Sequence, residues 1–166
     1  CERVGSGDRV LDIGCGVGAL AYDLAARARS VVGIDIKPGN TTAATARYRR
    51  DNLSFITGDA WTYQFNESFD KIVLSNVLEH LDNRVESLRD LHKLAPIILL
   101  RVPLITRDWL AVYKKQHGYE YRLDPTHRIE YTMEELMSEL AAADCRMSEY
   151  SVQFGECWAV VLVGSL

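Results

Sequence analysis

The stretch Val10–Leu20, VLDIGCGVGAL, carries glycines at alternate positions, Gly14, Gly16 and Gly18, between an apolar run and an Ala/Leu-rich one. Glycine has no Cβ, so such a loop turns sharply and brings backbone N–H groups close to a ligand. Gly14-x-Gly16-x-x-Ala19 fits the dinucleotide fingerprint in its G-x-G-x-x-A form. Asp35, 21 residues beyond Gly14, stands where an acid takes ribose hydroxyls. The glycines alone leave two ligands open, a nicotinamide dinucleotide and another adenosine cofactor.

Other acids narrow the choice. Asp12 stands two residues before Gly14. A carboxylate there suits an ammonium group and opposes a pyrophosphate, which needs unopposed N–H donors. Asp59, in TGDA, is placed to accept from an exocyclic amine such as that of adenine. The dull alternatives are a loop cap for Asp12 and a strand-end turn for Asp59. Among the histidines, His80 in LEHL and His127 in LDPTHRIEYT are the candidates for moving a proton. Asp124, Thr126, His127 and Arg128 form a polar group with a possible substrate or lid role, although Asp-Pro also starts turns. His117, beside Lys114 and Lys115, reads as surface, and His92 as structural. Asp124 and Glu130 are too isolated to suggest a metal, so none is expected.

These residues must be positioned by strands and helices. Arg9–Gly14, Ser30–Ile36, Leu53–Gly58, Phe69–Val77 and Pro96–Val102 read as buried strands. Val17–Arg29, Pro38–Arg50 and Asp82–Leu94 read as the intervening helices, the last with Asp82 as its cap. Apolar strands alternating with helices predict a parallel sheet covered on both faces. Thr132–Glu135, TMEE, is a capping box that opens a helix with Met133, Leu136, Met137 and Leu140 on one side. Tyr150, Val152 and Phe154 then alternate with polar residues, Gly155-Glu156 fits a two-residue turn, and CWAVVLV runs back as a hairpin. Pro103–Tyr131 is far longer than an ordinary connection and rich in Trp and Tyr, which argues against disorder. Thr106 and Gly118 bracket a short helix within it.

The totals agree with one α/β domain over residues 1–166, with 104–131 as a substrate or lid insertion. The chain has 166 residues, 48% hydrophobic and 25% charged, with a formal net charge of -4. That charge argues weakly against a nucleic-acid or anionic-membrane partner. The basic run Arg47–Arg50 reads as a solvated helix face. No membrane span or signal peptide is visible, and the four cysteines suit neither a zinc site nor a disulfide framework, so a cytoplasmic protein is expected. The chain begins at Cys1 rather than Met, so a native N-terminal segment is expected to be missing.

Asp12-x-Gly14-x-Gly16-x-Gly18, GIDI at Asp35, TGDA at Asp59 and FDKIVLSNVLEHL, in that order and spacing, resemble the class I S-adenosylmethionine-dependent methyltransferases, in their small-molecule, ubiquinone-biosynthesis-like branch. The resemblance implies a Rossmann-like three-layer sandwich, with a mostly parallel seven-stranded sheet in the order 3-2-1-4-5-7-6 and an antiparallel C-terminal hairpin. It implies S-adenosylmethionine as cofactor, held by Asp12, Gly14, Cys15, Gly16, Gly18, Asp35, Ile36, Asp59 and Ala60. Trp61 would flank the adenine, and Ser75 and Asn76 would lie near the sulfonium. His80 and His127 would be the catalytic candidates. It further implies O- or C-methylation of a small-molecule acceptor. SNVL stands where enzymes acting on exocyclic amines of bases carry Asn/Asp-Pro-Pro-aromatic, which argues against that chemistry. Two other functions remain open at this point: a non-catalytic cofactor-binding module acting with a partner, and a nicotinamide oxidoreductase. The oligomeric state is open.

Overall fold

The five apolar runs pair side by side in a computed structural model that describes residues 2–164. The elements are β1 (Arg9–Ile13), α1 (Ala19–Ala25), β2 (Ser30–Asp35), α2 (Pro38–Arg47), β3 (Leu53–Thr57), β4 (Lys71–Ser75), α3 (Arg84–Asp90), β5 (Ile97–Pro103), α4 (Trp109–Gln116), α5 (Met133–Ala142), β6 (Cys145–Gln153) and β7 (Glu156–Val163). They form one seven-stranded sheet in the order β3-β2-β1-β4-β5-β7-β6. The first five strands are parallel, and β7 runs antiparallel to both β5 and β6. The expected fold is therefore present, including its strand order.

Side chains alternate across each strand, so each face builds its own core. Val10, Val31 and Val73 pack with Ala21, Leu24 and Ala25 of α1 on one face. Leu11, Ile34, Ile72, Leu74, Ile98 and Leu100 pack with Leu88 of α3 and Leu136 and Leu140 of α5 on the other. Each such fully buried side chain contributes roughly 1.5–3 kcal/mol relative to exposure. On the α1 face, a concavity of about 230 Å³ lies between Leu20 and Leu24 and the strand residues Val73, Leu99 and Trp158. No described helix is long and apolar enough to cross a membrane.

The α2 helix ends at Arg47, with Tyr48 extended, so residues 48–50 lie beyond the helix face expected for them. Four other boundaries shift for local reasons. First, α1 is shorter than expected, because Gly18 at its N-cap is left-handed (φ 85°) and the Arg27 N–H turns back to Leu24 O at 2.9 Å. Second, Asp82 does not cap α3. Asn83 holds the cap position without a side-chain bond, and Asp82 instead pairs with Arg128 at 3.0 Å. Third, Asp108 rather than Thr106 caps α4, accepting from Leu110 N at 2.7 Å and Ala111 N at 3.1 Å. Fourth, the hairpin turns at Phe154-Gly155, one residue earlier than expected. Both are left-handed, with φ 53° and 74°, and Gln153 pairs with Glu156. The Thr132 capping box forms in full.

Residues 104–131 leave and re-enter the fold at one place. Leu104 and Tyr131 form a parallel bridge, and the Ile105 N–H donates to Tyr131 O at 2.8 Å. Cys15, Cys145 and Cys157 are buried free thiols, and Cys1 lies outside the described residues. His92 packs against Cys145 (Nε2 to Sγ 3.4 Å), and His117 stacks on Tyr113 at the end of α4.

Candidate active site

The carboxyl ends of β1 to β4 gather the residues expected to hold the cofactor. Asp12 is at the end of β1, with Gly14–Gly18 as its loop. Asp35 ends β2 and Ile36 follows it; Asp59 and Ala60 follow β3; Ser75 ends β4 and Asn76 follows it. Ligands of open α/β sheets bind at this edge.

The glycine loop is tied down by β2. The Gly14 and Cys15 N–H groups donate to Ile34 O at 2.8 and 3.1 Å, and Gly16 N–H donates to Asp35 Oδ2 at 2.9 Å. At Gly14 (φ 70°) a Cβ would meet Val77 Cγ2 at 2.6 Å, so the left-handed loop packs against Val77, beyond the end of β4, as glycine. Gly16 (φ 54°) has open space where its Cβ would point, room that a ligand can fill. The Asp35 Oδ1 accepts from Lys37 N at 2.8 Å and Asn40 Nδ2 at 3.1 Å. Three of the roughly four acceptor positions of that carboxylate are thus in use. A ligand engaging both oxygens has to displace Asn40 or a loop N–H. Asp59 Oδ1 accepts from Trp61 N at 2.9 Å, so the strand-end turn is realised there, with Oδ2 left over.

Asp12 behaves differently. It is buried, and its Oδ2 has no hydrogen-bond partner, so it caps nothing through that atom. Burial pushes its carboxyl up to about 7, and the charge of Asp35 adds to the rise. Cys15, in the same loop, is raised to about 12 by burial and by the charges of Asp12 and Asp35. It is a neutral thiol rather than a nucleophile.

Asn76 sits at φ 57°, a strained conformation for a residue with a side chain, and its buried Oδ1 is also without a partner. The 3-10 turn Leu78–His80 follows. Glu79 in that turn is fully buried with neither carboxylate oxygen bonded, and burial is the main cause raising it to about 7. Among the described residues, Asp12, Asn76 and Glu79 thus account for all the unpartnered buried side-chain atoms. All three lie on one edge, and the unpartnered atoms are all oxygens.

The segment carrying His127 crosses over this edge. Arg128 N–H donates to Glu79 O at 2.8 Å, and the His80 and His127 rings meet edge to face at 4.8 Å. His127 is buried, with Nδ1 at 2.8 Å from Glu130 Oε1. The Glu130 Oε1 also accepts from Leu123 N, and Oε2 from Arg107 Nη2 at 3.0 Å. His80 Nδ1 lies 3.1 Å from Thr126 Oγ1. Asp124 closes the turn that Asp-Pro suggested, bonding Thr126 N at 2.7 Å. Sequence reasoning missed Glu79, Asn40 and Arg107, and set Glu130 aside as isolated. Glu79 was within the quoted LEHL, but nothing local marks its burial.

Comparison with known proteins fits this geometry. Residues 11–95 match the family described as "Methyltransferase domain". A ubiquinone biosynthesis O-methyltransferase of Pseudomonas aeruginosa is 34% identical over 100 residues, 56% of this chain and 42% of that protein. One from Bradyrhizobium diazoefficiens is 32% identical over 120 residues, 70% of this chain and 47% of that protein. The chain therefore spans less than half the length of these curated relatives. A magnesium protoporphyrin IX methyltransferase from Synechocystis PCC 6803, solved with bound SAH, superposes with a TM-score of 0.71 at 26% identity, over 96% of this chain and 75% of its own. A chain from the complex of the Haloferax volcanii Trm112 methyltransferase activator with a methyltransferase reaches 0.79 at 17% identity, over 98% and 85%, a likeness of fold. With the family match covering half the chain, the glycine loop and its acids at the sheet edge, and the seven-stranded order, this chain belongs to the methyltransferase-domain family, among the class I S-adenosylmethionine-dependent methyltransferases.

Proposed function

We propose that the chain binds S-adenosylmethionine at the carboxyl ends of β1 to β4 and transfers its methyl group to an oxygen or carbon of a small-molecule acceptor. The observation that carries this reading is the lining of the edge. Beside the glycine loop and the end of β4, Asp12 Oδ2 and Asn76 Oδ1 are buried and unpartnered, and both are oxygens. A ligand with an ammonium and a sulfonium satisfies such a lining, whereas a pyrophosphate is repelled by it. The open space at Gly16 admits close approach of the same ligand.

In this reading Asp12 takes the amino group, Asp35 and Asn40 the ribose, and Asp59 the adenine amine between Ile36 and Ala60. Ser75 and Asn76 lie toward the sulfonium. Bound there, the donor supplies an electrophilic methyl, so the remaining work is to align the acceptor and exclude water, and orientation alone is worth up to about 7–11 kcal/mol. Residues 104–131 serve as the segment closing over the acceptor. A hydroxyl acceptor sheds one proton as its oxygen takes the methyl, and His80 and His127 are the imidazoles this edge offers.

Calorimetric titration with S-adenosylhomocysteine tests the donor site. Saturable binding that Asp35→Ala weakens at least about tenfold, a loss of some 1.4 kcal/mol, supports the reading. A nicotinamide dinucleotide displacing S-adenosylhomocysteine overturns it. A second reading, a cofactor-binding module acting with a partner, is favoured by the uncovered apolar concavity beside Leu20, Leu24 and Trp158. Donor binding without turnover on phenolic, carboxylic and carbon acceptors would select it.

A further inference from the structure

The geometry points to a divalent transition-metal site formed by Glu79, His80 and His127, in a chain whose sequence led us to expect no metal. One ligand atom from each residue lies within 4.8 Å of the other two. Atoms no farther apart than that share a centre within about 2.8 Å of each, against metal–ligand bonds of about 2.0–2.2 Å. Side-chain adjustments of less than about an ångström therefore close the site around an ion.

Four further observations mark this as more than a cluster of polar residues. Glu79 is fully buried and both of its oxygens are unpartnered, an arrangement that is costly in either protonation state unless a ligand satisfies it. His127 is held from behind: Nδ1 is bonded to Glu130, itself fully buried and fixed by Leu123 N and Arg107. A carboxylate behind one imidazole nitrogen orients the other as a metal ligand. His80 is held in the same way, its Nδ1 bonded to Thr126 Oγ1. The ligands also come from two distant parts of the chain, the turn after β4 and the crossing segment 104–131, so an ion would pin that segment to the edge.

The donor set selects the ion. Two imidazoles and one carboxylate suit zinc, cobalt, iron or nickel, whereas magnesium and calcium favour all-oxygen shells. Three protein ligands leave at least one position open for an acceptor oxygen or water. Around Glu79 the other acids are already paired, Glu130 with Arg107 and Glu156 with Arg101, which leaves the Glu79 carboxyl as the acid without a cation. This assignment stands apart from the donor reading, and it makes ligands of the two imidazoles otherwise available to a proton.

The test uses the protein stripped by a chelator and dialysed, then titrated with Co²⁺ followed by visible absorption and with Zn²⁺ by calorimetry. One ion per chain is expected. His127→Ala, His80→Ala and Glu79→Gln should each weaken binding at least about tenfold, and Glu130→Gln should weaken it by about 10–100-fold through His127. Circular dichroism melting of each variant separates lost ligation from lost folding. Absence of saturable binding by the folded wild-type protein overturns the assignment. So does binding that folded His80→Ala and Glu79→Gln leave unchanged. S-adenosylhomocysteine titrated into the same samples keeps the two readings apart: metal without donor binding overturns only the donor site, and donor without metal binding only the metal site.

Discussion

At the scale of single residues, the buried Asp12 carboxyl ties stability to pH and, in the proposed reading, to the ligand. Its carboxyl titrates near 7 in the folded chain, against 3.8 as its ordinary value. Between those values the native state holds a proton that the unfolded state has released, so this carboxyl's contribution to stability falls as pH rises, by at most about 1.4 kcal/mol per unit. Asp12→Asn should therefore raise stability at pH 7.5 relative to wild type and flatten its decline between pH 5 and 7.5, measured by urea unfolding. Glu79 remains as a second carboxyl raised in the same way. An ammonium group prefers the ionised carboxylate, so wild-type affinity for S-adenosylhomocysteine should rise from pH 6 to 8. Asp12→Asn should lower the affinity and lose much of that rise. A variant less stable than wild type at pH 7.5 would contradict the argument. The placement of Asp12, Asp35 and Asp59 at the sheet edge could be read from the sequence because their offsets from strand ends are local. Glu79 and Glu130 could not, because burial of a carboxyl depends on segments some fifty residues apart meeting over the same edge.

At the scale of elements, the legible boundaries were those set by side chains bonding their own neighbourhood. The Thr132–Glu135 box forms as its spacing requires, with bonds of 3.1 and 2.9 Å. Thr132→Ala should cost about 0.5–2 kcal/mol in urea unfolding while leaving S-adenosylhomocysteine affinity unchanged, since α5 lies on the sheet face away from the glycine loop. Asp82 and Thr106 failed as caps because other partners competed: Arg128 takes Asp82, and Asp108 stands one residue before α4. The hairpin turn was misplaced by one residue because Phe154 is an unusual occupant of a left-handed position. Its ring is fully exposed, so nothing holds it there by packing. Phe154→Asn supplies the residue this turn favours and should raise the melting temperature. A fall would show that the exposed ring makes a contact that matters to the fold.

At the scale of the molecule, segment 104–131 is separable in topology but joined in chemistry. It leaves and returns through the Leu104–Tyr131 bridge, and its ends, Leu104, Ile129 and Tyr131, join the core on the α5 face while the α1 face closes without it. Over the edge, however, it supplies His127, bonds Glu79 O through Arg128 N, and stations Arg107 near the Glu79 carboxyl. Strand order, the two covered faces and the position of the glycine loop were readable because they repeat a local period and a known order of motifs. The segment's course was not, since its anchors are single pairs such as Arg107 with Glu130 and Arg128 with Asp82. Replacing residues 108–128 by a flexible Gly/Ser linker of about ten residues, long enough for a parallel re-entry, tests this division. The protein should still fold with a lower melting temperature and should bind S-adenosylhomocysteine within about tenfold of wild type, as none of the donor residues is removed. It should lose Co²⁺ binding and methyl transfer together, because Glu79 and His80 alone make an incomplete set and the acceptor loses its cover. Transfer that persists without the segment would place the acceptor elsewhere along the edge, toward Ser75 and Arg101.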